Sequence, residues 1–294
     1  MKSSSVIRLA QVSDLHFGEP TYNPSQFFSK RWLGNLNLLF SRKRDFCHER
    51  LLPLIDLLRS HEVDYLAVTG DFSVTAQERE FEQAAELFSH FSRAGIKVLA
   101  IPGNHDQYTG SAYKKQLFYR YFPPVFDERA RVNLRDHKVT AMQLANGFWI
   151  VGLDTARSTS LISSQGVFSE EIETELEKVL SEIPSHDKII LLNHFPFFQN
   201  DPPNKQLVRA KALRALITRH PNIVLYLHGH THRQTLADLR PNQLPILSDT
   251  GSSVEKDSSA FHLFHLDNKG VQIDLYQWEG GWTQTNKRQF KWNG

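Results

Sequence analysis

A single cysteine, Cys47, among 294 residues excludes an internal disulfide, fits a reducing compartment, and leaves no thiolate cluster to hold a structural zinc. Strong charge is lacking too. The formal net charge of +2 and the pI near 8.6 are too mild to argue for a nucleic-acid binder, and no extended basic tract supports polymer binding. No apolar run is long enough to cross a bilayer, and residues 1–5 lead into an apolar segment without a signal-peptide pattern. A cytoplasmic location is therefore expected, with peripheral membrane contact left open. Internal repeats and low-complexity tracts are absent. What remains, 40% hydrophobic and 22% charged, is the composition of a globular protein with a substantial core, and the length alone allows one domain or two.

The pattern of short apolar runs separated by amphipathic stretches reads as parallel crossover units. Strands are expected at 6–12, 63–68 and 97–101, with helices over 45–61 and 77–94, the second closed by Gly95. Leu51, Leu52, Leu54, Ile55, Leu57 and Leu58 are the expected buried face of the first helix. Asn146-Gly147 between apolar runs at 139–144 and 148–153 signals a hairpin, so antiparallel pairing enters there. Helices over 169–183 and 207–220 alternate with strands at 188–192 and 223–227. A short strand near 245–248 and a hairpin at about 260–279 complete the chain. That hairpin suits either a homodimer contact or the completion of a sheet.

Residues 20–44 are unlike the rest. Phe27, Phe28, Trp32, Leu36, Leu39 and Phe40 are interleaved with Lys30, Arg31, Arg42, Lys43 and Arg44, and no acid is present. An insertion that packs its apolar face on the domain is the expected role. The other reading is contact with a lipid or an apolar, anionic substrate through 27–44.

Polar residues gather where the expected strands end. Asp14 and His16 follow the first strand, Asp71 the second, Asn104, His105 and Asp106 the third, and His194 the strand at 188–192. His228, His230 and His232 follow the apolar run at 223–227, at alternate positions that share one face of an extended segment. Open α/β sheets bind ligands at these carboxyl ends, and clustered imidazoles with carboxylates suit a metal. Asp154, at the end of another strand, is read as a turn residue. His48, His61, His90 and His262 are read as solvated or packed.

The joint set Asp14-Leu15-His16, Gly70-Asp71, Gly103-Asn104-His105-Asp106, His194 and Gly229-His230-Thr231-His232 resembles the signature of the calcineurin-like metallophosphoesterase superfamily. The resemblance implies one domain over 1–294 with a four-layer α/β/β/α sandwich of two mixed sheets. It implies one divalent ion on Asp14, His16, Asp71 and His232, and a second on Asp71, Asn104, His194 and His230, with Asp71 bridging. Mixed nitrogen and oxygen ligands suit Mn, Fe or Zn. His105 is implied as the group that protonates the leaving oxygen, with Asn104 and His105 facing substrate. Asp106 either orients His105 as part of the catalytic set or secures the loop. His228 matches no signature position and is expected to be packed.

The activity implied is hydrolysis of a small phosphate ester by a dinuclear phosphodiesterase. The chain looks like the bacterial cyclic-nucleotide phosphodiesterase branch, which opens a 3′,5′-cyclic nucleotide. A second reading is a hydrolase like the UDP-2,3-diacylglucosamine pyrophosphatases of lipid A synthesis, acting at a membrane surface. A third, a binding scaffold without catalysis, is disfavoured because every ligand position is filled.

Overall fold

The first third of the chain alternates strands with helices whose apolar residues recur every three or four positions. In the computed structural model, which describes residues 6–18, 46–159 and 163–292, β1 (Ile7–Val12), α1 (Leu51–Ser60), β2 (Tyr65–Val68), α2 (Glu78–Arg93) and β3 (Lys97–Ala100) follow one another. The three strands pair in parallel. The spacing predicts α1 over 45–61, yet it begins at Leu51, after a single 3-10 turn at His48–Arg50. Pro53 lacks an N–H and is tolerated in that first turn. Leu51, Leu54, Ile55 and Leu58 form the buried face, whereas Leu52 is 51% exposed and Leu57 only partly buried. A capping box of Gln77 and Glu80 opens α2, and Gly95, at φ +83°, receives its end. The aromatic and basic stretch at 20–44 lies outside the described residues.

The hairpin of β4 (Val139–Gln143) and β5 (Phe148–Leu153) turns through Asn146 and Gly147 at φ 53° and 74°, the pair of positive values a two-residue turn of this hand requires. Next come β6 (Gly166–Val167), α3 (Glu170–Glu182, N-capped by Ser169), β7 (Lys188–Leu192), β8 (Leu207–Val208), α4 (Ala210–Arg219) and β9 (Ile223–His228). The pattern predicts α4 from residue 207. Leu207 and Val208 instead pair with β6, and Arg209 turns left-handed before the helix starts. β10 (Gln234–Asp238), β11 (Ile246–Thr250), β12 (Ala260–Leu266), β13 (Gly270–Trp278) and β14 (Trp282–Lys291) complete the chain. β12 and β13 fill the span of the predicted hairpin. β10 and β14 escape the sequence pattern because neither buries a face, and β14 is exposed along most of its length.

Two mixed six-stranded sheets result, ordered β14-β13-β12-β1-β2-β3 and β10-β11-β9-β7-β5-β4. Alternation in the strands explains the layers. Ile190, Leu192, Leu225 and Leu227 join the core shared with the first sheet, α1 and α2, whereas Ile189, Leu191 and Tyr226 pack in a second core with α3 and α4. This is an α/β/β/α sandwich, and the carboxyl ends of β1, β2, β3, β7 and β9 meet at one edge.

Candidate metal centre

Asp14, His16, Asp71, His230 and His232 all have positive φ, between 49° and 72°. Non-glycine residues avoid this region, so five together mark a backbone bent for a purpose other than regular pairing. Two signature glycines let neighbouring loops approach closely. A Cβ at Gly229 would collide with Ser13 Oγ and Asp14 Oδ2, and one at Gly103 with Asp71 Oδ1.

Seven side chains converge in two groups. In the first, His16 Nε2 and His232 Nε2 stand 3.0 Å apart, with Asp14 Oδ1 at 3.8 Å from His16 and 3.4 Å from His232. In the second, Asn104 Oδ1 is 3.2 Å from His194 Nε2 and 2.9 Å from His230 Nδ1. Asp71 stands between them: its Oδ2 is 3.4 Å from His194 Nε2 and 3.9 Å from His16 Nε2. Carbonyls fix the outward nitrogens. His194 Nδ1 donates to Thr69 O at 2.7 Å and His230 Nε2 to Lys205 O at 2.8 Å, which turns the opposite nitrogen of each ring toward Asn104. Asp14, His16, Asp71, Asn104 and His194 are buried, while His230 and His232 retain some exposure.

Electrostatics favour cations here. Burial opposes ionisation of Asp14 and Asp71, but His232 and His194 respectively hold each carboxyl below the usual range. Burial and the neighbouring His105 push His16 well below its ordinary value, and burial with His194 brings His230 down to about 4, so both present neutral imidazoles. Burial alone would lower His194, yet Asp71 raises it to about 9. In the metal-free chain, protonated imidazole thus supplies the positive charge the carboxylates require. Imidazole nitrogens facing one another beside carboxylates fit divalent ions.

His105 is partly buried beside this group. Its Nδ1 donates to Val74 O at 2.7 Å, its ring meets His16 edge-on at 4.9 Å and stacks on Tyr108 at 5.4 Å, and its backbone N–H donates to Asp71 Oδ1 at 2.8 Å. Asp106 is fully buried and accepts from Gly103 N, Phe72 N, Ser73 N and Ser73 Oγ at 2.9 to 3.2 Å. Those contacts tie the Asp71 and Asn104 loops together, and Val74 O accepts from the His105 ring.

The remaining histidines take other duties. His228 faces the second core and donates from Nδ1 to Gly229 O at 2.9 Å. His48 bonds Leu15 O at 2.7 Å and stacks on Phe17 at 4.2 Å, bracing the loop between Asp14 and His16. Nothing in its helical context signalled this. Ser252 and Ser253, also unmarked by motif, hold the same loop: Ser252 Oγ donates to Asp14 O at 2.7 Å and Ser253 N to Ser13 O at 2.9 Å. Asp249, buried and raised to about 8 by burial and Asp14, accepts from Thr231 Oγ1 at 2.6 Å between the two histidines of the last motif.

Fold and site together define a metallohydrolase centre at the edge of a double sheet. Residues 7–234 match the calcineurin-like phosphoesterase family, and the chain belongs to it: it is a metal-dependent phosphoric ester hydrolase. Similar solved structures include a dimetal phosphatase from Danio rerio (13% identity, TM-score 0.68, covering 98% of this chain and 99% of that one). A purple acid phosphatase from yellow lupin seeds shares 13% identity with TM-score 0.63, over 98% of this chain and 54% of that one. GAP50, the anchor in the inner membrane complex of Plasmodium, shares 12% identity with TM-score 0.56, over 98% and 90%. At such identities these likenesses speak to fold alone. No curated protein matches significantly in sequence.

Proposed function

We propose that the chain is a single-domain dinuclear phosphodiesterase acting on a small nucleotide-type phosphodiester such as a 3′,5′-cyclic nucleotide. The observation that carries the reading is the position of Asp71 Oδ2 between the two imidazole groups, 3.4 Å from His194 and 3.9 Å from His16, which suits a carboxylate shared by two ions. Asp14, His16, Asp71 and His232 would hold one ion, and Asp71, Asn104, His194 and His230 the other. When bound, such ions supply Lewis-acid charge to phosphoryl oxygens and lower the pKa of water.

The protein's own groups do the rest. With Nδ1 committed to Val74, we assign proton transfer to His105 Nε2, which donates to the leaving oxygen as the phosphorus bond breaks. Asn104, a neutral oxygen donor, leaves the site's net charge positive and attractive to an anionic ester. Asp106 is a positioning residue, holding the loops of Asp71 and Asn104 in register through its four acceptor contacts. A reducing, cytoplasmic setting accords with the lone Cys47. No helix among the described residues is long and apolar enough to cross a membrane.

One observation keeps the lipid-linked substrate in view. Phe46, which borders the 20–44 stretch, places its ring 5.1 Å from that of His16. The test is hydrolysis by Mn-loaded protein of 3′,5′-cyclic AMP and a UDP-linked diacylglucosamine, with bis-p-nitrophenyl phosphate as control. Turnover of cyclic AMP and the control alone supports the proposal. Preference for the lipid overturns the substrate while leaving the reaction class, and silence on all three with two ions bound would remove both substrates.

A further inference from the structure

Behind the ligands a hydrogen-bond chain, part-buried at its outer end and buried at its inner one, crosses between the sheets. Gln277 Nε2 donates to Gln234 Oε1 at 2.6 Å, and Gln234 Nε2 meets His262 Nε2 at 3.2 Å. His262 Nδ1 lies 2.7 Å from Ser248 Oγ, which donates to Gln11 Oε1 at 2.7 Å. Gln11 Nε2 then donates to His228 O at 2.9 Å, with Thr69 Oγ1 and Ser248 O each at 3.4 Å. The donors all run one way if His262 carries its proton on Nδ1. The direction ends on the backbone of β9.

Gln11 is fully buried between the sheets beside a largely apolar core, where an apolar residue would pack without needing the partners that Thr69, Ser248 and His228 provide. Its contacts fall where the ligands emerge. Gln11 precedes Asp14 by three residues, Thr69 precedes Asp71 by two, and His228 precedes His230 by two. Thr69 also offers the carbonyl that orients His194. One amide therefore touches the ends of three ligand-bearing strands, two from one sheet and one from the other.

We propose that Gln11 is a positioning residue that fixes the separation of the two sheets at the metal-binding edge and thereby sets affinity at the second ion's site. This rests on the dinuclear reading above. The second site depends most on sheet spacing, since Asp71 and Asn104 come from the first sheet and His194 and His230 from the other; at the first site only His232 crosses over.

The test is Gln11→Met, close in volume but without the amide, titrated with Mn²⁺ by calorimetry and followed by electron paramagnetic resonance with no substrate present. The expected result is a first ion within about threefold of wild-type affinity, a second weakened at least ~10-fold, and loss of the exchange-coupled two-ion spectrum at two equivalents. Trp149→Phe is the comparison. It removes the buried bond from Trp149 Nε1 to Asp187 Oδ2 (2.8 Å), far from the ligands, and should lower the melting temperature while both ions bind as in wild type. A Gln11→Met protein that behaves like Trp149→Phe overturns the proposal. Should Gln11→Met fail to fold, Ser248→Ala removes the donor to Gln11 Oε1 and is expected to weaken the second ion about threefold; unchanged binding there overturns it equally. A wild-type protein that binds only one ion would instead undo the dinuclear reading.

Discussion

Two places in this molecule bury aspartate at the end of a strand, and they differ in what surrounds the carboxylate. Around Asp154, Tyr119 Oη and Lys138 Nζ each stand 2.7 Å from Oδ2, and Ala156 N donates to Oδ1 at 3.1 Å. A cation and two further donors come from the chain, and Lys138 is the one member with a left-handed backbone. Asp14 also accepts from Ser13 Oγ at 2.6 Å and His230 N at 3.0 Å, and Asp71 from His105 N at 2.8 Å, but the charged partners they face are imidazoles at 3.4 to 3.9 Å, on loops where five residues adopt positive φ. A structural polar cluster closes on itself. In the site the balancing charge sits on imidazoles, which can give up a proton and present ring nitrogens to an ion.

The largest expected effect separates the two clusters directly. Asp71→Asn should lose bound metal and turnover together, by more than ~10²-fold, because that carboxylate lies between both groups. Asp154→Asn should leave turnover per folded molecule unchanged and cost about 2–4 kcal/mol in denaturant melts, less than a fully buried pair because Lys138 reaches solvent. An Asp71→Asn enzyme with normal metal content would erase the distinction.

His105→Ala comes next. Metal content should stay at wild type while turnover falls ~10²–10⁴-fold on an ester with a poor leaving group, and much less on p-nitrophenyl esters, whose leaving oxygen needs no proton. Equal losses on both substrates would argue against proton donation.

Smaller, but diagnostic in sign, is the pH dependence of the metal-free protein. The folded pKa of His194, about 9, lies above its ordinary 6.5, so its pairing with Asp71 stabilises fully below pH 6.5 and is lost as pH rises through 9. Burial gives His228 a folded value of about 4, so its contribution is present above 6.5 and lost as pH falls toward 4. The metal-free chain should therefore lose stability from this site between pH 6.5 and 9. Metal binding at pH 7–8 should release protons, since the ion replaces the proton on His194. Calorimetry in buffers of different ionisation enthalpy would register the release; its absence would mean that His194 is already neutral.

The smallest effect expected is that of Tyr119→Phe. Losing one donor to Asp154 should cost about 1 kcal/mol with metal affinity untouched.

The sequence exposed the site more fully than the fold around it. Asp14, His16, Asp71, Asn104, His194, His230 and His232 each follow an apolar run, so motif and strand end coincide, and the structure brings all seven together. What stayed hidden has physical causes. β10 and β14 bury no face and leave no alternation to read. Leu207 and Val208 look helical by spacing, but pairing with Gly166 and Val167 overrides the local preference. Gln11, Ser248 and Ser252 act through hydrogen bonds between residues more than 230 positions apart, a relation no local pattern encodes. Asp106 carries two readings in sequence, and its four acceptor contacts, all to the Asp71 and Asn104 loops, have no sequence signal.

The most direct measurement is calorimetric titration of the metal-free protein with Mn²⁺ at neutral pH. Two ions per chain are predicted, the number that two imidazole–carboxylate groups sharing Asp71 can hold. A single ion, or none, would contradict the assignment of these residues to a dinuclear centre.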